Sequence, residues 1–384
     1  YLSLLQTTSP LSSLMPNTSC YNHSTTTTGS NDTSDNNCLT ELKWARIMSI
    51  VFYSLAFVLG VLGNGVVIWV TGFKMKKTVN SVWFLNLAVA DFVFTAFLPL
   101  RLTYAARNYH WPFGKFMCKL NTTILTLNMF ASIYILVVIS VDRCVSVVKP
   151  IWAQNHRNVQ KAFYVSLCVW ALALIFSTPY FVFSDIDTSN CSNKIINCYT
   201  DFALSDDYET PSVNQFRLFR SEAITITRFV LNFVIPFTVI VSCYAIIIYR
   251  LRRNHTLANK SNRSFKIIIA IIITFFFCWA PWHIMGLSML VFHMTNIERT
   301  VSHIFIIIYP IARGLVCLNS CMNPLLYVFM SPDFKDVVRK SILKVLENAF
   351  QEEEPQNVIP LHGIKSLFKK KSFKLRLKNS LVRG

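Results

Sequence analysis

The segment Leu85-Asn86-Leu87-Ala88-Val89-Ala90-Asp91 ends an apolar stretch on a carboxylate. An ionised carboxylate in an apolar medium needs a cation, a proton or a polar cage, because desolvating a bare charge is expensive. Asn128 and Ser132 in a second apolar run, and Asn319, Ser320 and Asn323 in a third, sit at depths that could face Asp91. The group reads as a small hydrated cation site, and a neutral Asp91 that only packs helices is the alternative. A fourth run carries Arg228, two turns outward of Pro236. A guanidinium there calls for a carboxylate, which accepts two parallel hydrogen bonds from it, and a peptide's free C-terminus supplies one. Arg101 and Arg313 end neighbouring runs, and Tyr104, Trp282, Phe292 and Tyr309 could receive aromatic or aliphatic side chains. Asp185, Asp187, Asp201, Asp206, Asp207 and Glu209 would make the entrance acidic and attract the basic part of a ligand. The internal alternative is Glu222, which lies off the helical face of Arg228 by about 120 degrees at 3.6 residues per turn.

Other spacings suit motion. Asp142-Arg143-Cys144 closes one apolar run with opposite charges, where an anion at a helix C-terminus needs a donor, from Arg143 or from a loop. Pro236 precedes Tyr244; Cys278-Trp279-Ala280-Pro281 and Asn323-Pro324-Leu325-Leu326-Tyr327 pair a helix break with a large ring. Each proline, with Pro99 and Pro179, removes one backbone hydrogen bond, which neighbouring helices or water can offset. Trp279 beside Pro281 suits a pivot.

The elements that must carry these residues follow from composition. The chain has 384 residues, 53% hydrophobic and only 15% charged, with Lys+Arg 37 against Asp+Glu 19; its mean hydropathy is +0.42. A soluble domain devotes about 25% of its residues to charge, so most soluble enzymes are excluded. The basic surplus lies between apolar runs rather than over one soluble surface, which argues against a nucleic-acid partner. Runs near 47–71, 80–104, 116–140, 161–183, 222–249, 266–292 and 301–329 each cover the ~20 residues that a helix needs to cross a bilayer. The expected fold is an all-α membrane protein, a bundle of seven transmembrane helices with a short amphipathic helix after the last. Lys74, Lys76, Lys77, Arg143, Lys149, Arg157, Lys161, the stretch Arg250 to Lys266 and the basic end after Met330 all fall on one side. The positive-inside rule makes that side cytoplasmic and the N-terminus extracellular, in the plasma membrane.

The expected division is a disordered, glycosylated outer tail over 1–46, the membrane domain over 47–330, the amphipathic helix over 331–346 and a basic cytoplasmic tail over 347–384. Asn17, Asn22 and Asn31 are glycosylation acceptors in a Ser/Thr/Asn-rich arm, although the same motif recurs at Asn254, Asn259 and Asn262 on the cytoplasmic side. Residues 1 to 40 lack the apolar run of a cleavable signal, so the first span is expected to direct export. After the last span, Phe334, Val337, Val338, Ile342 and Val345 share one helical face, with Lys335, Arg339, Lys340 and Lys344 opposite, which suits the surface of an anionic inner leaflet. Of 11 cysteines, Cys20, Cys38, Cys118, Cys191 and Cys198 see the oxidising side. No metal cluster, nucleotide loop or catalytic triad is visible, so an enzyme is not expected. The seventh span also lacks the Schiff-base lysine of a retinal protein.

Gly63-Asn64, LNLAVAD, Asp142-Arg143-Cys144 in place of the usual Asp-Arg-Tyr, Trp170, CWAP and NPLLY occur in order with spacing that resembles rhodopsin-class G protein-coupled receptors, from about residue 45 to 346. Pro150-Ile151-Trp152-Ala153-Gln154-Asn155-His156-Arg157 is similar to the chemoattractant receptors. The stretch from Phe265 to Trp279, with Ser320-Cys321-Met322-Asn323-Pro324 and Tyr327-Val328-Phe329-Met330, resembles the chemerin receptors, with formyl-peptide and anaphylatoxin receptors as near relatives. Residues 116 to 141 lack the acid that formyl-peptide receptors carry in the ligand-facing part of the third span. The resemblance implies a peptide or small-protein chemoattractant outside, and a heterotrimeric G protein of the inhibitory type inside, in chemotaxis and inflammatory signalling. Arrestin and membrane lipids are further expected partners; a formyl-peptide or anaphylatoxin receptor, or a non-signalling decoy, is the alternative. Coupling and activation would fall to Asp142, Arg143, Tyr244, Trp279, Pro281, Asn323, Pro324 and Tyr327, with Arg143 released from Asp142 to meet the G protein. Beyond an allosteric sodium ion held by Asp91, Asn128, Ser132, Asn319 and Asn323, no cofactor is expected. The family's loop-to-helix disulfide is most simply Cys118 to Cys198, with Cys191 as the runner-up.

Overall fold

Backbone N–H and C=O groups find no water inside a bilayer, so each long apolar run must satisfy them within itself, and it does so as a helix. The structure, a computed structural model, describes residues 32–188, 195–200, 202, 210–253, 255–295, 298–330, 336–341 and 343. Within these, the side chains of 32–39, 188, 255–268, 271, 289, 292–306 and 326–330 lie outside the description. Helix α1 spans Asp32–Trp69 and runs into a π turn over Val70–Lys74. The second span is two helices, α2 (Val79–Ala96) and α3 (Leu98–Ala106). Helix α4 covers Gly114–Val148, α5 Pro150–His156 and α6 Val159–Phe183. The fifth span is α7 (Pro211–Phe229), a π turn over Val230–Val234, and α8 (Ile235–Arg253). Helices α9 (His255–Thr295) and α10 (Glu298–Met330) complete the bundle. The unit from 338 onward is described only at 338–341 and 343, where it is helical; Phe334, Ile342, Val345 and Lys344 fall outside the description.

Local chemistry fixes where these elements start and bend. Thr78 caps α2 in a reciprocal box: its hydroxyl accepts from the Ser81 N–H at 3.1 Å and its own N–H donates to Ser81 Oγ at 2.7 Å. Pro99 sits in the first turn of α3 and makes the break at Phe97 permanent. The π turn of the fifth span lies immediately ahead of Pro236, whose missing N–H leaves the Asn232 carbonyl without its usual helical donor and loosens the ladder there.

One expectation is corrected: the tail assigned as disordered over 1–46 is helical from Asp32, because Leu39, Leu42 and Trp44 continue an apolar pattern into the span. Within the all-α bundle one connection carries a small addition: Ser184–Thr188 (β1) and Ile196–Thr200 (β2) form an antiparallel hairpin, with Ile186 opposite Cys198. Cys118, at the start of α4, is bonded to Cys198, so the hairpin is tied to the helix it covers. Cys20, Cys38 and Cys191, and the acceptors Asn17, Asn22 and Asn31, have side chains outside the description.

Helix α4 is the central element, with more of its apolar length buried than any other described span. It packs on α2, α6 and α8, while α1 packs on α2 and α10 and α10 packs on α9. Side-chain amides knit these contacts: Asn64 Nδ2 donates to the Gly60 and Ser320 carbonyls, both at 2.9 Å, and Trp170 Nε1 donates to Asn86 Oδ1 at 2.9 Å. Small residues set the approach of the helices, as expected where lipid gives no hydrophobic drive for association. A Cβ at Gly314 of α10 would fall 2.4 Å from the Phe52 ring of α1. Gly314→Ala should therefore lower thermal stability in detergent by about 1 to 3 kcal/mol, although helix propensity alone favours alanine by ~1 kcal/mol. In a Phe52→Ala background the same change should cost far less, and equal costs in both would show that the ring is not the obstacle.

Candidate functional site

Three groups of residues come together, one at the hairpin end of the bundle, one at mid-depth and one at the opposite end. At the hairpin end a cavity of about 110 Å³ is lined by α3, α4, α6, β2, α7, α9 and α10. Arg101, Arg228, Arg313, Trp282 and Tyr309 all line it, with Trp279 on its wall. Arg217 lines it too, although the sequence reading began the fifth span too late to include it. The signal was available: Arg217, Ser221, Thr225 and Arg228 are spaced to share one face of α7, and all four line the cavity. No carboxylate occurs among the described lining residues. Tyr104 is corrected out of the site; it is buried against Trp111, Cys118 and Cys198, where its ring meets the Trp111 ring edge-on at 5.8 Å. The side chain of Phe292 lies outside the description.

The guanidinia are not equivalent. Arg101 donates through Nε to Asn121 Oδ1 at 2.5 Å and lies 5.8 Å from the Trp111 ring centre. Arg313 donates to the Tyr309 hydroxyl at 2.9 Å and sits 5.3 Å from the Trp282 ring. Arg228 lies 6.0 Å from the centre of the Tyr180 ring, and its Nε is buried with no hydrogen-bond partner among the described residues. It rests against Gly286, where an added Cβ would be 3.1 Å from Nη2, so the bare backbone of α9 leaves it room. Glu222 forms no ion pair with it. The arrangement suits a carboxylate or another planar anion, which Arg228 can grip with two parallel bonds.

At mid-depth Asp91 is fully buried. Asn128 Nδ2 donates to its Oδ1 at 2.9 Å and Asn323 Nδ2 to its Oδ2 at 2.7 Å. Ser320 Oγ donates to Asn128 Oδ1 at a long 3.5 Å. The hydroxyl of Ser132 and the amide nitrogen of Asn319 are buried without a hydrogen-bond partner. Both carboxylate oxygens are taken by amide N–H groups, so a small hard cation here would draw on the Asp91 oxygens and the unused Ser132 hydroxyl after those amides turn. Closer to the cavity, the Trp279 and His283 rings are buried 6.3 Å apart, and neither Trp279 Nε1 nor His283 Nε2 has a partner. Pro281 and Pro324 interrupt α9 and α10 here; the Tyr327 side chain lies outside the description.

At the opposite end the loop alternative for Asp142 holds, and Arg143 is not its partner. Arg157, just past α5, grips it through Nε at 2.8 Å and Nη2 at 3.0 Å, and the same Nη2 donates to Asn80 of α2 at 2.6 Å. A loop guanidinium can meet the carboxylate edge-on in a fork, whereas Arg143, the next residue on the same helix, projects to another side. Arg143 Nε has no partner, and the guanidinium lies near Tyr244 of α8. Cys144 faces Cys243 of α8.

Residues 63–327 match the model of the 7 transmembrane receptor (rhodopsin family), so the chain belongs to that family of G protein-coupled receptors. It is 45% identical over 327 residues to chemerin-like receptor 1 of Rattus norvegicus, covering 84% of this chain and 85% of the relative. Identity is 40% over 308 residues to the C3a anaphylatoxin chemotactic receptor of Oncorhynchus mykiss, covering 80% of each. It is 37% over 306 residues to N-formyl peptide receptor 3 of Pan troglodytes, covering 80% of this chain and 86% of that protein. The chain is accordingly a multi-pass membrane receptor of the chemoattractant group that couples to heterotrimeric G proteins.

Arg157→Ala should destabilise the detergent-solubilised receptor by about 1 to 3 kcal/mol, because half-buried Asp142 loses its fork. Arg157→Lys, which keeps the charge but not the fork, should recover only part of it in the same melting assay. Full recovery by lysine would mean that charge alone holds Asp142.

Proposed function

We propose that the receptor lies in the plasma membrane with its N-terminus outside and binds a peptide or small-protein chemoattractant, a chemerin-like ligand first, in the arginine-lined cavity. One observation carries the reading: Arg101, Arg217, Arg228 and Arg313 converge there with no carboxylate among the described lining residues. Arg101 and Arg313 are already held by Asn121 and Tyr309, while the buried Nε of Arg228 has no partner among the described residues, which makes Arg228 the anchor for the ligand's C-terminal carboxylate. Trp282 and Tyr309 would flank the adjoining side chains. The resemblance to chemerin-like, anaphylatoxin and formyl-peptide receptors supports a chemotactic ligand and an inhibitory-type G protein.

Activation follows as a choice between two states. A ligand shifts such an equilibrium only by its differential affinity for the two, so an anchored peptide must press differently on Trp279 in each. Trp279 beside Pro281 would pass the shift along α9 to the end where Arg143 and Tyr244 lie. With Asp142 occupied by Arg157, Arg143 needs no release before it meets the G protein. That arrangement favours signalling over the decoy alternative.

Amidating the C-terminus of an activating peptide should weaken it by about 1.5 to 3 kcal/mol on the parent receptor, the scale of a charge-assisted hydrogen bond, and by much less on Arg228→Ala. Ligand-driven nucleotide exchange measures both. Equal losses on the two receptors would remove Arg228 as the anchor.

Sodium is the cation proposed for the Asp91 group, held by Asp91, Asn128 and Ser132 with Asn319 and Asn323 alongside. A cation that prefers the resting state must weaken agonists that prefer the active one, by reciprocity of linkage. Sodium in place of a large organic cation at equal ionic strength should lower agonist affinity on the parent, and should leave it unchanged on Asp91→Asn. An equal sodium effect on both would place the ion elsewhere.

A further inference from the structure

A second cavity, of about 570 Å³, opens on the side of the bundle between α8 and α9. Val241, Ala245 and Ile248 form one wall and Ile269, Ile273 and Phe277 the other, with the ring of Tyr244 between them. Its lining is exposed where a core would be closed: Val241 is 50%, Ile273 63% and Phe277 69% exposed. Apart from the Tyr244 hydroxyl no described lining side chain carries a polar atom, so the described walls offer little to orient a polar ligand. Hydrocarbon fits such a wall.

The end of the groove is different. Val241, Ala245, Ile248 and Arg252 follow each other at helical spacing along one face of α8, so the groove runs onto a guanidinium about one turn, ~5.4 Å, beyond Ile248. Arg250 and Arg253 share that last turn; Arg250, Arg252 and Arg253 are exposed or nearly so, and none pairs with a carboxylate among the described residues. An apolar slot that faces the bilayer and ends on clustered guanidinia complements a molecule with a long apolar chain and an anionic head.

We propose that this groove is a binding site for an anionic glycerophospholipid of the inner leaflet, with one acyl chain between α8 and α9 and the net-negative head group, phosphate and carboxylate together, on Arg252 and its neighbours. Guanidinium meets phosphate with the same forked geometry it offers carboxylate, and the inner leaflet is where anionic lipid concentrates. The occupant touches Tyr244, which lies near Arg143, so lipid composition would bear on the coupling end of the receptor. The inference takes over the orientation proposed above but not the ligand, and symmetric bilayers make its test independent of both.

The full-length receptor is placed in phosphatidylcholine nanodiscs doped with a phospholipid that bears a diazirine on one acyl chain and either a serine or a choline head. After illumination the adducts are mapped by mass spectrometry. Adducts on 241–248 and 273–277 should be about fivefold more abundant with the serine head, the ratio that one basic side chain near an anionic lipid supports. Arg252→Gln should bring the serine lipid down to the choline level, and Ala245→Trp should deplete adducts from both. Equal labelling by the two heads, an unchanged ratio in Arg252→Gln, adducts spread evenly over the lipid-facing helices, or cross-links between the α8 and α9 faces of two receptor copies would each overturn the proposal. Arg252 is exposed, so its variant decides the matter even if Ala245→Trp fails to fold.

Discussion

A polar group buried in hydrocarbon must find its partner within the protein, and the arrangement around Asp91 follows from that constraint. Its two oxygens are each taken by an asparagine amide, one from α4 and one from α10, so a single carboxylate fixes the relative depth of three helices. Asn64 extends the set to α1 by bonding the Ser320 carbonyl. The contacts are directional, and a helix that slid or rotated would leave an amide or a carboxylate bare. Apolar packing supplies no such register, because lipid tails are as good a neighbour for leucine as another helix is.

The same cost has the opposite consequence at the hairpin end. There several cations are gathered with no carboxylate among the described lining, and internal groups only partly offset them: an asparagine for Arg101, a tyrosine for Arg313, a ring for Arg228. A site left short of negative charge binds anions from outside more strongly than a neutralised one would. The hairpin, tied to α4 through Cys118 and Cys198, covers part of this cavity and so shields those charges from water. Stability and affinity are in tension at the same side chains.

Two helix breaks lie beside these regions. Pro236 and Pro281, in α8 and α9, each deprive the ladder of a bond where Asn232 and Trp279 carry polar atoms without partners, whereas the carbonyl freed by Pro324 in α10, that of Ser320, is taken by Asn64. A helix with a free carbonyl and unpartnered polar neighbours has more than one arrangement of similar energy, and that is what a two-state element requires. The rigid Asp91 node and the looser proline zone are therefore adjacent.

The seven-helix fold and the family were legible from residue types and spacing, whereas the outer limits of the first and fifth spans were not. Apolar run length is a one-dimensional property, and a charge in such a run declares itself without a fold. The hairpin was not legible, since its strands are short, polar and outside any span. Nor was Arg217, which periodicity placed on the face of Arg228 but which lay beyond the assumed start of the fifth span. Tyr104 has the right depth and the wrong direction, because the break at Phe97 turns α3 and sends its ring toward Trp111 instead of the cavity. The sequence left open whether Arg143 or a loop donor holds Asp142, and the structure chose the loop donor, Arg157. The sequence by itself determined which groups cannot be left alone in a membrane; only the tertiary structure decided which partner each one takes, because partnership depends on the direction of a side chain and the angle between helices.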